Sequence, residues 1–238
     1  MFRTIFSRRF LSPTIRRYTK SSTMALKAIS AKDAASLDKD LMEIGGWSLD
    51  QLMELAGLSV SQAGKYLAAP ELQDYSAGPG NNGGDGLVAA RHLAQYGYNP
   101  SVYYPKQGKN ELYQRLKVQL ENLCVPFITD FEAELQKTDF LVDAIFGFSF
   151  GGPLRAPFGE IVSQIEKSSV PVLSVDAPSS WDIQAGPPKE GPGATFMPKA
   201  LISLTAPKPA CKKYGLDLPQ YQGIDQILEV GVDAEGRL

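Results

Sequence analysis

The pattern of apolar and polar positions predicts helices that alternate with short buried strands. Apolar residues recur at every third or fourth position, as on one face of a helix, in the segments 31–44, 49–67, 87–96, 109–123, 131–137 and 158–167. Runs rich in apolar and β-branched residues, typical of buried strands, occupy 100–105, 125–129, 139–146, 170–178 and 198–207. This alternation predicts an α/β fold in which helices cover both faces of a mostly parallel central sheet.

Two extra helices are predicted ahead of this sheet, at 31–44 and 49–67. Ser30 precedes the first helix, with Asp33 at its third position, and Ser48 precedes the second, with Gln51 at its third position. A serine followed by glutamine at this spacing is typical of a capping box. The apolar faces of the two helices belong either to the core or to a dimer interface, and the sequence leaves both open.

The segment Gly78 to Gly86 reads GPGNNGGDG and has no apolar side chain. Glycine permits positive φ and a close approach of a ligand to the backbone, so we expect a loop here. Consecutive N–H groups in such a loop, placed before the helix at 87–96, form a site for an anion. Asn81, Asn82 and Asp85 add oxygen ligands and hydrogen-bond donors. A flexible surface turn is the plainer alternative.

The same segment contains G-x-G-x-x-G, formed by Gly78, Gly80 and Gly83, but its surroundings do not fit a dehydrogenase. That motif needs a preceding strand and an acid about 20 residues later, whereas the next strand ends in YYPK, without an acid before Glu111. Lys106 could meet a 2′-phosphate, which is thin support for a dehydrogenase. The lead-in, PELQDYSA at 70–77, is polar and begins with proline, so we expect a poor central strand.

Two more polar sites follow predicted strands. Asp143 is followed by the loop Gly147 to Pro153, and Asp176 by Ser179. The carboxyl ends of parallel strands share one edge, so these sites should meet the glycine-rich segment there. A carboxylate at a strand end also fits a simple helix cap, but two of them beside a glycine-rich loop favour a binding site.

The chemistry of these side chains suggests two roles. Asn82, Asp143 and Ser179 offer hard oxygen atoms, which suit a Group 1 or Group 2 cation rather than a soft metal. Asp176 is by position the best candidate for a general acid/base.

The composition excludes several other classes of site. His92 is the single histidine among 238 residues, so zinc sites of His and Cys and triads with a second His are not expected. We expect a structural role for His92 and a buried, inert thiol for Cys124. No apolar run approaches the ~20 residues that span a bilayer, so no membrane segment is predicted.

Residues 1–23 differ in kind from the rest of the chain. They are rich in Arg and Ser, and no acid occurs before Asp33, as in a mitochondrial transit peptide. Met24 could start a shorter, cytoplasmic form. A basic tail that binds nucleic acid or membrane is the alternative, but without the six basic residues the net charge falls from −2 to −8. An acidic body argues against nucleic acid as the main partner.

Four segments, GPGNNGGDGLVAARHL, VDAIFGFSF, VDAPSSWD and SLTAPK, resemble in their order the YjeF N-terminal-domain family. The segment MEIGGWSLDQLMELAGLSV is also similar to that family's N-terminal helices, and the resemblance extends from about Ala31 to Val230. It implies that 24–238 form one domain of that type, with a Rossmann-like fold, usually dimeric, and one bound potassium ion per subunit.

The resemblance also implies an activity and a set of residues. Enzymes of the family interconvert the R and S forms of hydrated NADH and NADPH, and a separate ATP-dependent dehydratase then returns the S form to the coenzyme. By motif match, the potassium ligands are Asn82, Asp143 and Ser179. The residues implied to bind the hydrated nucleotide are Asn81, Asn82, Gly83, Gly84, Asp85, Gly147, Phe148, Ser149, Phe150, Gly151, Gly152, Pro153 and Asp176.

From the chemistry, Asp176 is expected to act as the acid and base that removes and returns water. A non-catalytic nucleotide-binding or protein-interaction module of the same fold is the alternative. Ser180 stands where the family pattern SGWD has glycine. If that position needs positive φ, we expect strain at the serine.

Overall fold

The structure is a computed structural model that describes residues 4–8, 29–67, 73–205 and 227–231. Its helices are α1 (Ala31–Glu43), α2 (Leu49–Leu67), α3 (Asn81–Gln95), α4 (Glu111–Asn122), α5 (Phe131–Leu135) and α6 (Phe158–Lys167). Its strands are β1 (Thr4–Arg8), β2 (Gln73–Ala77), β3 (Pro100–Tyr103), β4 (Phe127–Ile128), β5 (Leu141–Ala144), β6 (Val172–Val175), β7 (Ala200–Ser203) and β8 (Ile227–Gly231).

The strands form one sheet in the order β4-β3-β2-β5-β6-β7-β1-β8. All pairs from β4 through β7 are parallel, β1 is antiparallel to β7, and β8 is parallel to β1. After β2 the chain builds outward through β3 and β4, and then returns to β5 on the other side of β2. Such a reversal of strand order opens a crevice at the carboxyl ends of the strands, where α/β proteins bind ligands.

Strand β2 contradicts the prediction that its sequence makes a poor central strand. It lies between β3 and β5, and Ser76 is in register with Tyr103 on one side and Asp143 on the other. Parallel pairing uses the backbone N–H and C=O groups, so a polar segment can fill the place when both neighbours are well formed. The strand therefore leads directly into the glycine-rich segment.

Two apolar cores cover the two faces of the sheet, which confirms the three-layer α/β fold. Adjacent residues of β5 divide between them, since Val142 belongs to the core beneath α2, α3 and α4, and Leu141 to the core beneath α5 and α6. The same alternation occurs in β6 with Leu173 and Val172. Side chains that point alternately to the two faces of a strand produce this division.

The N-terminal helices begin as the sequence predicts. The Ser30 hydroxyl accepts a hydrogen bond from the Asp33 N–H at 3.1 Å. Ser48 and Gln51 form the reciprocal capping box, with bonds of 2.8 and 3.2 Å. Helix α2 packs on α3, so its apolar face belongs to the core, whereas α1 buries only Ala34 in full.

The structure tests the roles that the sequence predicts for His92 and Cys124. His92 is structural as expected, because its Nε2 lies 2.8 Å from the Glu54 carboxylate on α2. The expectation of a buried Cys124 is wrong, since the residue is exposed. It follows the end of α4 with a φ of 58°, and this left-handed turn directs it away from the core.

Strand β1 falls within the predicted transit peptide. It joins the edge of the sheet, where it pairs with β7 and β8. The parallel strands from β2 to β7 make their own pairs without it. None of the helices in the described ranges combines the length and apolar character of a bilayer-spanning helix.

Candidate active site

A cavity of about 630 Å³ lies at the carboxyl ends of the parallel strands. It is enclosed by α1 and α2, the start of α3, the segment after β5, and the ends of β6 and β7. Predicted site residues that line it are Asn81, Asn82, Asp85, Gly147, Phe148, Ser149, Phe150, Gly151, Pro153 and Asp176. The three sites predicted separately from the sequence therefore meet at one cavity.

The glycine-rich segment differs from the loop that the sequence predicts. Helix α3 begins at Asn81, so Asn81 to Gly86 form its first turns and only Gly78 to Gly80 lead into them. The N-cap residue is Gly80, which has no side chain with which to cap this end of the helix. The first N–H groups of a helix have no partner within the helix, and the helix dipole makes this end positive. The anion site expected from the sequence is thus a helix N-terminus.

The glycines of this segment serve close packing rather than unusual backbone angles. A Cβ on Gly83 would lie 1.7 Å from the carbonyl oxygen of Gly78, and one on Gly78 would lie 1.9 Å from that of Ile145. The positive-φ glycines of the described chain do not include either residue. The absence of side chains therefore lets α3 start directly against the ends of β2 and β5.

Each polar residue at the start of α3 has a distinct environment. Asn81 Oδ1 accepts a 2.6 Å hydrogen bond from the Tyr113 hydroxyl of α4. Asp85 is buried and faces the cavity. The Asn82 Nδ2 atom is buried and makes no hydrogen bond within the described chain. A buried amide without a partner has a substantial energetic cost, so Asn82 is suited to receive a ligand.

Asp176 lies just beyond β6, at the wall of the cavity, and is only 3% exposed. Its Oδ2 accepts a 2.7 Å hydrogen bond from the backbone N–H of Phe148. Its φ is +66°, a left-handed conformation that aspartate adopts more readily than most side chains. The sharp turn after β6 therefore directs the carboxylate toward the loop that follows β5.

Gly147 brings this loop close to the catalytic candidate. A Cβ at this position would lie 2.8 Å from Asp176 Oδ2 and 3.1 Å from Asn82 Oδ1. The two side chains therefore converge on the same face of the Gly147 backbone. A larger residue would push at least one of them away, since such separations are tighter than ordinary contacts.

Asp143 and Ser179 form a cluster behind the cavity wall. Asp143 is 0% exposed, and its carboxylate accepts from the Ser179 hydroxyl at 2.5 Å, the Ser179 N–H at 2.9 Å and the Ser174 hydroxyl at 2.9 Å. A weaker bond at 3.3 Å comes from the Ile145 N–H. Burial raises the pKa of the Asp143 carboxyl, and these hydrogen bonds oppose the rise. All four donors are neutral, so none of them compensates a carboxylate charge.

Some predicted residues lie near the cavity without lining it. Gly83 and Gly84 are buried in the first turns of α3, while Gly152 is exposed in the loop that also contains Gly151. Gly84 lies against Met53, a residue of α2 that does line the cavity. These glycines shape the backbone, and their contact with a ligand stays a prediction.

Sequence reasoning missed several cavity residues. Helices α1 and α2 contribute part of the wall, including Asp38 and Met53. Phe146 stacks on Phe150, with ring centroids 4.7 Å apart, and both rings line the cavity that Asp176 also lines. The aromatic residues of 146–150 were a visible signal in the sequence. The wall from α1 was not visible, because only the tertiary packing brings it there.

Comparisons with known proteins place this geometry in a family. Residues 49–210 match the family described as YjeF-related protein N-terminus. A protein of Aspergillus fumigatus named NAD(P)H-hydrate epimerase is 72% identical over an alignment of 242 positions that covers 90% of this chain and 100% of that protein. A Schizosaccharomyces pombe protein of the same name is 51% identical, with 87% of this chain and 97% of that protein covered.

A solved structure agrees with these relatives. The crystal structure of yeast ynu0, YNL200c, superposes with a TM-score of 0.76 at 39% sequence identity. The match covers 86% of this chain and 100% of the yeast chain. The sequence match over most of the chain and the shared fold lead to one conclusion: the chain belongs to the family of YjeF-related N-terminal domains.

Proposed function

We propose that the protein is an NAD(P)H-hydrate epimerase, which interconverts the R and S forms of hydrated NADH and NADPH. One structural observation carries the proposal: the buried Asp176 carboxylate faces a cavity that also contains the uncapped N-terminus of α3. This cavity offers a proton-transfer group beside a site for phosphate. The names of the relatives described above supply the substrate class.

The reaction requires cleavage of one C–O bond and its formation on the opposite face of the same carbon. Asp176 gives a proton to the leaving hydroxyl, which departs as water with the C–O electron pair. The resulting planar cation lies next to the Asp176 carboxylate and is stabilised by it. The planar ring then turns so that its other face meets Asp176, and the carboxylate takes a proton from a water molecule as that water attacks this face. The Phe148 N–H fixes the orientation of the carboxylate during these steps.

The start of α3 is suited to hold the pyrophosphate of the substrate. Gly80 makes no side-chain cap, so the N–H groups of the first turn remain directed outward at the positive end of the helix dipole. Tyr113 holds Asn81 through a 2.6 Å hydrogen bond and so fixes this turn. The substrate then extends from this turn to Asp176.

A potassium ion fits the side chains at this edge of the sheet. Asp143 is a buried carboxylate whose hydrogen-bond donors among the described residues are all neutral, Ser179 adds a hydroxyl, and the amide oxygen of Asn82 lies near Gly147 at the same edge of the sheet. Hard oxygen atoms of this kind suit Group 1 cations. Bound between these residues, potassium would offset the buried charge and fix the start of α3. Among the described residues, no three His, Cys, Asp or Glu side chains are grouped so that they could hold a metal ion.

Thermal unfolding tests the potassium proposal without an activity assay. Replacement of sodium by potassium at constant ionic strength should raise the melting temperature of the wild type, because a bound ion stabilises the folded state by about 2.7 kcal/mol at 100 times its Kd. The Asp143→Asn and Ser179→Ala variants should lose this increment. An equal potassium effect in the wild type and in both variants would place the ion elsewhere.

The function itself is tested with separated R and S hydrates of NADH and NADPH. Each pure epimer should relax to the same equilibrium mixture when the protein is added, and an ATP-dependent dehydratase that acts on the S form alone should then consume both epimers. If the protein binds the nucleotide but never equilibrates the epimers, it is a non-catalytic binding module. In that case the epimerase proposal is wrong.

The exposed apolar residues of α1 favour a homodimer. Ile44 is 82% exposed just after this helix, and Leu37 and Met42 are also among the exposed large apolar residues. Burial of these side chains against a second copy would remove them from water. Light scattering should then give the mass of a dimer for the wild type, and an Ile44→Asp variant should shift toward the monomer. A monomeric wild type would contradict the proposal.

The basic segment 1–23 favours mitochondrial import, with Met24 as the start of a cytoplasmic form. Cleavage of the segment would remove β1, while the parallel strands that border the cavity keep their own pairs. Mass spectrometry of the protein from purified mitochondria should show an N-terminus near Met24. An intact Met1 in that fraction would contradict the import proposal, and a Met24→Leu variant should lose the cytoplasmic pool.

A further inference from the structure

We propose that Lys106 binds the 2′-phosphate of hydrated NADPH and so gives the site a preference for the phosphorylated coenzyme. This inference rests on the proposed epimerase function and adds the direction in which the substrate lies. The reacting carbon must lie at Asp176, beyond β6, and the pyrophosphate at the start of α3, beyond β2. The adenosine half of the dinucleotide then extends away from β6, over the end of β3.

Lys106 stands at this end of the cavity. It follows β3 by three residues, is exposed, and lines the cavity together with Pro79 and Gly80. Its loop is held in place, since the Gly108 N–H donates to the Tyr104 hydroxyl at 3.0 Å. A Cβ on Gly108 would lie 2.5 Å from the Pro79 carbonyl oxygen. This close packing fixes the Lys106 loop beside the phosphate end of α3.

The distribution of charged residues around the cavity favours Lys106 as the partner of an anionic group. Among the described residues, only Lys106 and Arg155 bring a positive charge to the lining, against the carboxylates of Asp38, Asp85 and Asp176. Arg155 belongs to the segment after β5, on the side of Asp176, whereas Lys106 lies on the opposite side of the start of α3. No ion pair within the described chain involves Lys106. Its ammonium group is therefore available to an anionic ligand.

The position after β3 has a defined role in sheets of this topology. When an NAD-binding protein places an acid at the end of this strand, the acid binds the ribose 2′-hydroxyl, and a basic residue nearby accommodates a 2′-phosphate instead. The segment after β3 is YPKQGKN, with no acid. An ammonium group attracts a phosphate dianion, whereas it gives little advantage to a neutral hydroxyl.

The test compares both substrates in matched variants. Lys106→Gln should raise the KM for hydrated NADPH by about tenfold, the effect of one lost charge-assisted contact, with kcat unchanged. The KM for hydrated NADH should change less than twofold. Lys109→Gln, an exposed lysine three residues later that does not line the cavity, is the control and should leave both unchanged. Lys106→Glu should weaken binding of hydrated NADPH further.

A binding experiment separates this inference from the proposed function. In calorimetry, adenosine 2′,5′-bisphosphate should bind the wild type more tightly than AMP does, and Lys106→Gln should remove the difference. A wild type that epimerises neither hydrate overturns the proposed function, while this binding comparison still tests Lys106. If Lys106→Gln loses the same affinity for both hydrates and for both adenosine ligands, Lys106 contacts a phosphate that all of them share, and the inference is overturned. The inference is also overturned if Lys106→Gln binds every one of these ligands as tightly as the wild type does.

Discussion

The Phe148 N–H donates a 2.7 Å hydrogen bond to Asp176 Oδ2 and joins the loop after β5 to the turn after β6. This bond holds the carboxylate in one orientation at the cavity wall. Because this bond needs only an oxygen acceptor, a substitution can remove the proton-transfer group of Asp176 and keep the position of the side chain. Asparagine has the same shape, tolerates the left-handed backbone of this position, and still offers an oxygen to Phe148.

The Asp176→Asn variant should therefore lose epimerisation but keep binding. Loss of a general acid/base typically slows a reaction by ~10²–10⁴-fold, and we expect kcat to fall by that factor. The Kd for NADPH, measured by calorimetry, should change little, because the proposed phosphate contacts at α3 do not involve Asp176. If the variant epimerises at the wild-type rate, Asp176 is not the acid and base of the reaction.

Gly147→Ala tests the convergence of Asp176 and Asn82. The added Cβ would lie 2.8 Å from Asp176 Oδ2 and 3.1 Å from Asn82 Oδ1, so one or both must move by some tenths of an ångström. Misplacement of a catalytic group by about 1 Å can cost on the order of 10²-fold, and we expect kcat/KM to fall by up to that factor. A steady-state assay measures it.

Gly159→Ala in α6 is the matched control for this change. An added Cβ there has no neighbour closer than the 3.8 Å of Leu154, which is an ordinary contact, and the residue does not line the cavity. Alanine also favours a helix more than glycine does. The control should keep full activity. Full activity in Gly147→Ala as well would show that this close approach does not matter for the reaction.

The sequence predicts the framework of the site well where local signals agree with the fold. Helix α2 spans the predicted 49–67 and α6 the predicted 158–167, because an apolar face with clear ends marks both. The predicted strand ends placed Asp143 and Asp176 at one edge, and parallel pairing brings them there. The sequence therefore predicts both the edge of the sheet and its carboxylates.

Local signals fail where tertiary packing decides the conformation. The glycines and asparagines at the start of α3 have low helix propensity, yet they are helical. Gly83 and Gly84 lack a Cβ atom, which lets this turn pack directly against Gly78 and Met53. Strand β2 is polar and still central, since its two neighbours supply the backbone partners. Neither the helical start of α3 nor the central position of β2 can be predicted from composition or hydrophobic periodicity.

The contact of Glu54 with Arg91 and His92 should give the fold a pH-dependent stability. Burial alone would raise the pKa of the Glu54 carboxyl, but hydrogen bonds and charge from Arg91 and His92 lower it overall. A carboxyl whose pKa is lowered in the folded state binds fewer protons than in the unfolded state. Its contribution is therefore complete above the unfolded value near 4.5 and is lost as the pH falls through the lower folded value.

Glu54→Gln should thus be less stable than the wild type at pH 7, by about 1 kcal/mol or less for so exposed a group. The difference in melting temperature should shrink as the pH falls below about 4.5. Glu121→Gln, which removes an exposed contact to Lys117 at 3.6 Å, is the control and should show a smaller difference. A Glu54→Gln difference that is constant from pH 3 to 8 would assign the effect to packing rather than to charge.

Ser180 combines two unfavourable features, so its replacement by glycine should stabilise the protein. Its φ is +81°, and its buried Oγ makes no hydrogen bond within the described chain. A left-handed serine costs about 1–2 kcal/mol of stability, and an unsatisfied buried hydroxyl costs about 1–3 kcal/mol. Glycine removes both costs, but its greater freedom in the unfolded chain lowers the gain by about 0.5–1 kcal/mol. Urea denaturation of Ser180→Gly should show a free energy of unfolding that is higher by about 1 kcal/mol or more.

Ser180→Ala removes the hydroxyl but keeps the strained φ, so its gain in the free energy of unfolding should be smaller. Equal stability of all three proteins would show that neither the backbone angle nor the hydroxyl carries a cost.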